Sequence, residues 1–130
     1  MTIRGTGVKG FAKGKAYVIA DQENPFENIP EGGVVLVAKD ISLEDSAAID
    51  FSKVVGIVTE EGDAASQVCV IARGTGVPAI VGVEGCLKGI VSGDRLLIQN
   101  YDVVINPDLD SVNEFERLRT SSDSQLSLDL

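Results

Sequence analysis

The chain has 130 residues and a formal charge of −9, from 20 acidic and 11 basic side chains, and it contains no histidine. This length fits a single domain, and the acidic balance without any cluster of Lys or Arg argues against nucleic-acid binding. With no histidine and only two cysteines, Cys69 and Cys86, a zinc site of the usual kind is excluded. Both cysteines stand in apolar surroundings and no apolar run reaches about 18 residues, so we expect a cytoplasmic protein with no membrane span, metal or cofactor.

Three apolar runs in the first half of the chain predict buried strands, at 16–20, 34–38 and 54–59. The glycine-rich residues 1–15 form the approach to the first strand, and a polar loop over 21–33 separates it from the second. Between the second and third strands, residues 40–50 predict a short helix. Ser42 is a suitable N-cap for it, with Asp45 three residues later as in a capping box.

A helix over 66–73 follows the third strand. Its apolar stretch at 68–72 is too continuous for a surface helix and predicts burial on most sides. Glycines over 74–76 end this helix, and Pro78 prevents its continuation. Three short strands are then predicted, at 78–82, 95–98 and 102–105.

The last predicted helix covers residues 111–119, with a capping box from Ser111 to Glu114 and an apolar face made by Val112, Phe115 and Leu118. The remaining residues, 120–130, are polar and acidic and are predicted to be disordered. Strands and helices alternate early, and strand–turn–strand units follow. The sequence therefore predicts one mixed α/β domain over residues 1–119, not an all-parallel Rossmann sheet.

The chemistry of the chain is concentrated between Thr59 and Gly82, in the stretch TEEGDAASQVCVIARGTGVPAIVG. This stretch reads as a strand, a glycine turn, a helix start, a buried helix, a glycine stop and a strand. Free backbone N–H groups at such a helix start stabilise an anion or a phosphorylated side chain. Every strand-to-helix turn shares this geometry, however, so geometry alone does not identify a site. The candidate residues for binding an anion or a partner are Gly62, Asp63, Ser66, Gln67 and Arg73.

Particular residues of the stretch follow a recognisable spacing, roughly GG-x-TSH-x-AI-x-AR-x-x-GIPA-x-VG. Gly62 matches the first glycine, Ser66 the serine, residues 72–73 the Ala-Arg pair, and residues 76–79 and 81–82 the end of the pattern. In this spacing the stretch resembles the signature of the mobile domain of phosphoenolpyruvate-utilising enzymes. The similarity extends over about residues 5–107, with further matches at 10–16, 37–45, 92–94 and 105–107.

The resemblance implies an α/β fold, a swivelling β/β/α three-layer sandwich of the phosphohistidine-domain kind. It also implies a histidine directly after the serine, which accepts a phosphoryl group that the domain carries between two sites. Gln67 stands at that position. A carboxamide nitrogen is conjugated with its carbonyl and is not a nucleophile, and the chain offers no histidine in its place. Asp63 replaces the second glycine with a carboxylate that repels phosphate, and Ala65 replaces a threonine hydroxyl.

The single residues around this position each allow two interpretations. We expect the Ser66 hydroxyl to cap the helix, with phosphate acceptance as the alternative, and Cys69 to be an inert core thiol. Arg73 either binds an anion or interacts with the helix C-terminus. Gln67 either donates a hydrogen bond to a phosphate or a partner, or lies on the surface without a role.

Three functions remain open from the sequence. The first is a non-catalytic binding or regulatory module, or a subunit of a phosphotransferase-related assembly, with a protein partner and no role in binding nucleic acid or membranes. The second is a phosphotransferase component that uses Ser66 as its acceptor. The third is a structural scaffold or detached fragment without a site.

Overall fold

The computed structural model describes residues 2–19 and 25–128, with side chains up to Thr120. Within these ranges the strands are β1 (Thr2–Arg4), β2 (Thr6–Val8), β3 (Gly10–Val18), β4 (Val34–Ala38), β5 (Val54–Thr59), β6 (Ala79–Val81), β7 (Arg95–Asn100) and β8 (Asp102–Ile105). The helices are α1 (Leu43–Ala47), α2 (Gln67–Thr75), α3 (Cys86–Gly89) and α4 (Leu109–Leu128), with a 3₁₀ turn at Phe51–Lys53. The strands predicted at 34–38, 54–59 and 102–105 are confirmed.

The eight strands form one sheet in the order β1-β8-β7-β3-β4-β5-β6-β2. The pairs β3–β4, β4–β5 and β5–β6 are parallel, and all other pairs are antiparallel. The strands β1 and β2 stand at opposite ends of this strand order, although only Gly5 lies between them in the chain. Residues 2–8 therefore connect the two edge strands of the sheet. The mixed α/β fold predicted from the sequence is confirmed.

Residues 1–15 were predicted as an approach to a strand at 16–20, and this prediction is wrong for 2–15, whereas residues 16–18 do lie in a strand. Residue 20 of that strand and residues 21–24 of the predicted loop lie outside the described residues. Residues 2–8 form two edge strands, and β3 already begins at Gly10. The strands β1 and β2 have three residues each, too few to show an alternating pattern. Glycine is required at the junction of β1 and β2, because a Cβ at Gly5 would overlap the carbonyl oxygen of Val81.

Alternate residues of the central strands enter different parts of the core. In β4, Val35 and Val37 pack with apolar residues of β3, β7 and β8 on one face of the sheet, the inner face. Leu36 and Ala38 lie on the other, outer face and pack under α2. A third, small cluster joins the outer face of β7 and β8 to Phe115 of α4. The sheet thus separates two apolar layers, and α2 covers the layer nearest the candidate site.

Helix α1 begins as predicted, because the Ser42 hydroxyl accepts from Asp45 N and the Asp45 carboxylate accepts from Ser42 N. Helix α2 ends at Gly76, which has a left-handed φ of 78°. The burial predicted for α2 is wrong, since Val70 is 61% exposed. The helix buries only one side against the sheet, so a continuous apolar run did not indicate a fully enclosed helix.

Helix α4 begins two residues earlier than predicted, and its first turn is capped differently. Ser111 N donates to the Asp108 carboxylate over 2.8 Å, so Asp108 and not Ser111 supplies the acceptor. Hydrogen bonds from the backbone and hydroxyl of Ser111 lower the pKa of Asp108. The backbone continues as helix to Leu128, whereas a disordered tail over 120–130 was expected. The reason is that adding residues to a formed helix costs far less free energy than nucleating a new one. Residues 129–130 lie outside the described ranges.

Candidate functional site

The predicted site lies where the parallel strands β4, β5 and β6 end. The loop over 60–66 crosses these ends, with Glu60 N donating to Ala38 O over 3.1 Å and Gly82 N donating to Glu61 O over 3.4 Å. Ligands of open α/β sheets commonly bind at the carboxyl ends of the strands. The loop therefore occupies a position suited to recognition.

Gly62 gives the loop its sharp turn. Its φ of 108° lies in the region that residues with a Cβ rarely adopt, and a Cβ there would lie 2.9 Å from Ser66 Oγ. Just before it, the buried Thr59 hydroxyl donates to Glu61 O over 2.7 Å and fixes the end of β5. The motif glycine is thus required by the backbone and by the close approach of Ser66.

Asp63 and Ser66 close the turn by bonding to each other. Asp63 N donates to Ser66 Oγ over 2.8 Å, Ser66 N donates to Asp63 O over 3.0 Å, and Ala65 N donates to Asp63 Oδ1 over 2.9 Å. The expectation that the Ser66 hydroxyl caps α2 is wrong. Ser66 holds the N-cap position, but the glycine turn brings Asp63 N to its oxygen, and no side chain in the described part of the chain caps the helix.

Gln67 is the first residue of α2 and is exposed to solvent. Cys69 N and Val70 N donate to Ser66 O over 3.0 and 3.3 Å. Because no side chain among the described residues caps the helix, the backbone N–H of Gln67 is left available to solvent or a ligand. The side chain of Gln67 offers one further N–H₂ donor at the same place. The structure therefore brings Gly62, Asp63, Ser66 and Gln67 into one turn, as the motif predicts.

Arg73 belongs to the same turn and does not cap the C-terminus of α2. Its Nη2 donates to Ala64 O over 3.3 Å, so the side chain reaches back along the helix to the loop. At the other end of α2, Gly76 N donates to Ala72 O over 2.9 Å and closes the helix. An anion that approaches the loop would meet the Arg73 guanidinium.

Carboxylates nevertheless dominate the charge around the turn. Glu60 accepts from Gly85 N over 3.1 Å, and Glu61 lies 4.0 Å from the ammonium of Lys39. The exposed Asp63 adds a third negative charge on the same loop. An incoming phosphate would be repelled, although salt screens charges that are this exposed. Glu60 and Lys39 did not stand out in the sequence, and only their places at the ends of β5 and β4 could have indicated them.

The two cysteines are core thiols, as expected. Cys69 is buried beneath the turn, and its pKa is raised mainly by burial, an effect that Arg73 opposes and Asp63 increases. Burial and the charge of Glu60 raise the pKa of Cys86 to about 11. Neither thiol forms a nucleophilic thiolate readily near neutral pH.

No group of three or more potential metal-binding side chains gathers anywhere in residues 2–19 and 25–120. Over the same ranges, none of the helices is both long and apolar enough to cross a bilayer.

Curated proteins that resemble the chain are named phosphoenolpyruvate-protein phosphotransferase. The Haemophilus influenzae protein is 35% identical over 86 residues, which cover 65% of this chain and 15% of that protein. The Haloferax volcanii protein is 34% identical over 93 residues, covering 69% and 16%, and the Staphylococcus carnosus protein is 26% identical over 121 residues, covering 92% and 21%. The chain thus spans about one fifth or less of the length of these relatives.

Two solved structures share the fold. The solution structure of an Enzyme I (nEIt) protein aligns with a TM-score of 0.67 and 26% identity, over 75% of this chain and 40% of that one. The N-terminal domain of Enzyme 1-Nitrogen aligns with a TM-score of 0.56 and 25% identity, over 70% and 38%. The family described as PEP-utilising enzyme, mobile domain, matches residues 30–102, which include β4, the loop over 60–66 and the whole of α2. The chain therefore belongs to the mobile-domain family of PEP-utilising enzymes.

Proposed function

We propose that this chain is a mobile-type domain that keeps the phosphate-facing turn of its family without accepting a phosphoryl group, and that it binds a protein partner related to the phosphotransferases. The observation that carries the proposal is Gln67, exposed at the first position of α2 directly after Ser66. In the signature this place belongs to the phosphate-accepting histidine. We infer a binding or regulatory role because the glycine turn and the helix start are formed around this position, although Asp63 and Ala65 depart from the signature.

The chemistry of the turn supports loss of transfer. The lone pair of an amide nitrogen is delocalised into the carbonyl, so Gln67 has no nucleophilic atom to form a phosphoramidate. The chain contains no histidine that a change of register could bring to the site. The Asp63 carboxylate, which holds Ala65 N over 2.9 Å, adds repulsion toward a phosphate.

The surface next to Gln67 supports binding of a protein. Val70 lies one turn further along α2 on the same side of the helix, and it is 61% exposed. An exposed amide beside an exposed apolar side chain can contribute both a hydrogen bond and apolar burial to an interface. A site that only handles phosphate needs no such apolar neighbour.

Phosphorylation of Ser66 is the second candidate. One observation favours it: the hydroxyl accepts from Asp63 N and makes no capping bond to α2, so a reaction at this oxygen would not uncap the helix. No described side chain is hydrogen-bonded to that hydroxyl as a general base. The two candidates differ in the chemistry of the product, because phosphoserine survives acid and a phosphoramidate does not.

The test is incubation of the full chain with phosphoenolpyruvate and the general phosphotransfer enzymes, followed by intact-mass measurement before and after acid treatment. We expect no added phosphate on the native protein. A mass increase that acid removes would contradict the proposal. A mass increase that survives acid and disappears in Ser66→Ala would establish the second candidate instead.

Partner binding is tested by identifying proteins that co-purify with the native chain but not with Gln67→Ala or Val70→Asp. Lys88→Gln, an exposed change on α3, serves as the matched control. Loss of a phosphotransferase-related protein in the first two variants alone is the expected result. If no such protein co-purifies and an anion titration produces no shift in residues 62–67, the scaffold interpretation is favoured.

A further inference from the structure

A cavity of about 960 Å³ opens far from the α2 turn. It is lined by Val34, the first residue of β4, whereas the 60–66 loop crosses the last residue, Ala38. Residues of β3 and β7 and Val112 of α4 also line the cavity. Pockets for small molecules commonly have about 300–1,000 Å³, so this cavity has ligand size.

The strands place three cations in this cavity, in a chain whose net charge is −9. Lys13, Lys15 and Arg95 line it, and among the described lining residues Glu31 is the one carboxylate. That carboxylate is paired elsewhere, because it lies 3.4 Å from Lys53 Nζ. The charge of the described lining residues is therefore positive, opposite to that of the protein as a whole.

Two of these cations are not neutralised in the described part of the chain. Lys13 Nζ lies 2.9 Å from the Glu116 carboxylate, whereas neither Lys15 nor Arg95 forms an ion pair with a described residue. Lys15 and Arg95 are direct partners in the antiparallel register of β3 and β7. Their neighbours Ala16 and Leu96 enter the inner core, so both cations stand on the outer face. Like charges at directly opposite positions destabilise a sheet.

We propose that this cavity binds a small molecule that carries an oxyanion, phosphate or carboxylate, on an apolar body. The oxyanion lies between Lys15 and Arg95, where it removes their repulsion and matches the planar donor fork of the guanidinium. The apolar body lies against Leu97 and Val112, which line the same cavity. This site is separate from the α2 turn and does not depend on the function proposed for it.

The experiment is an amide NMR titration of the full chain with three probes of similar shape: phenyl phosphate, benzoate and the neutral benzyl alcohol. We expect saturable shifts for residues 13–16 and 93–97 with at least one anionic probe, and none with the alcohol. The stronger anionic probe identifies the oxyanion. Equal binding of benzyl alcohol, or no saturable shift with either anion, overturns the proposal.

Charge-removing variants test the two cations. Lys15→Gln and Arg95→Gln are exposed changes and should each weaken the anionic probe by about tenfold, the effect of losing one charge-assisted hydrogen bond. The control Lys88→Gln, on α3 and outside the cavity lining, should bind like the native chain. If one of the two cavity variants fails to fold, the affinity of the other variant for the anionic probe decides the test. Unchanged affinity in the cavity variants, or equal weakening in the control, would show that these cations do not form a site.

Discussion

Gly62 offers the most direct test of the turn geometry. Its φ of 108° and the distance of only 2.9 Å that would separate an added Cβ from Ser66 Oγ act together against any larger residue. We expect Gly62→Ala to lower the free energy of unfolding by about 2–3 kcal/mol. About 1–2 kcal/mol of this comes from the left-handed backbone. About 1 kcal/mol more follows because the displaced hydroxyl loses the hydrogen bond it accepts from Asp63 N.

Two other glycines of the same segment provide matched controls. Gly76 has a φ of 78° and nothing within 4 Å of an added Cβ, so Gly76→Ala should show only the backbone cost of about 1–2 kcal/mol. Gly74 lies within α2, has no positive φ and also has open space around it. Gly74→Ala should therefore raise the free energy of unfolding by up to about 1 kcal/mol.

The assay is urea unfolding followed by circular dichroism, with all variants compared at a common m value. A double-mutant cycle isolates the contact, because Ser66→Ala removes the oxygen that the new Cβ would meet. In that background Gly62→Ala should cost about 1 kcal/mol less than in the native chain. If Gly62→Ala costs no more than Gly76→Ala, or if its cost is the same with and without the Ser66 hydroxyl, the turn is not held by the close approach of Gly62 to Ser66.

Two further predictions concern the packing of α4 and the response to acid. Phe115 is fully buried and meets a second phenylalanine edge-on, so Phe115→Ala should lower the free energy of unfolding by about 3–5 kcal/mol in urea. Leu109→Ala, at a side chain that is 73% exposed, should change it by less than about 0.5 kcal/mol, and equal effects would show that α4 does not pack as described. Hydrogen bonds from Val91 N and the Asn106 side chain lower the pKa of Asp94 in the folded state. The stabilising effect of the ionised Asp94 carboxylate should be present above its unfolded pKa of about 3.9 and be lost as the pH falls through its lower folded pKa. The difference in the free energy of unfolding between the native chain and Asp94→Asn should therefore shrink in acid. A constant difference down to about pH 2 would contradict this.

Local sequence signals predicted the turn correctly where neighbouring residues decide the structure. The Ser42 capping box, the glycine stop at Gly76 and the glycine turn at Gly62 all depend on contacts within a few residues. The position of Gln67 at the helix start follows from the same local signals. These features could be predicted because the interacting groups are close in the chain.

The roles of polar side chains were harder to predict, because each has several possible partners nearby. Ser66 was expected to cap α2, yet its oxygen accepts from Asp63 N. Ser111 was expected to cap α4, yet the acceptor is Asp108. Arg73 was left between two roles, and only the fold showed that it reaches the loop at Ala64. In each case the choice depends on which of the nearby groups the folded backbone brings within hydrogen-bonding distance.

The sequence by itself determined the family pattern, the buried strands over 34–38 and 54–59, and the absence of the nucleophile that the pattern requires. Only the tertiary structure decided that residues 2–8 join the ends of the sheet and that Lys15 meets Arg95 across β3 and β7. The physical reason is the range of the interactions. Turns, caps and strand propensity act between near neighbours, whereas strand pairing joins residues 80 positions apart whose contact no local pattern encodes.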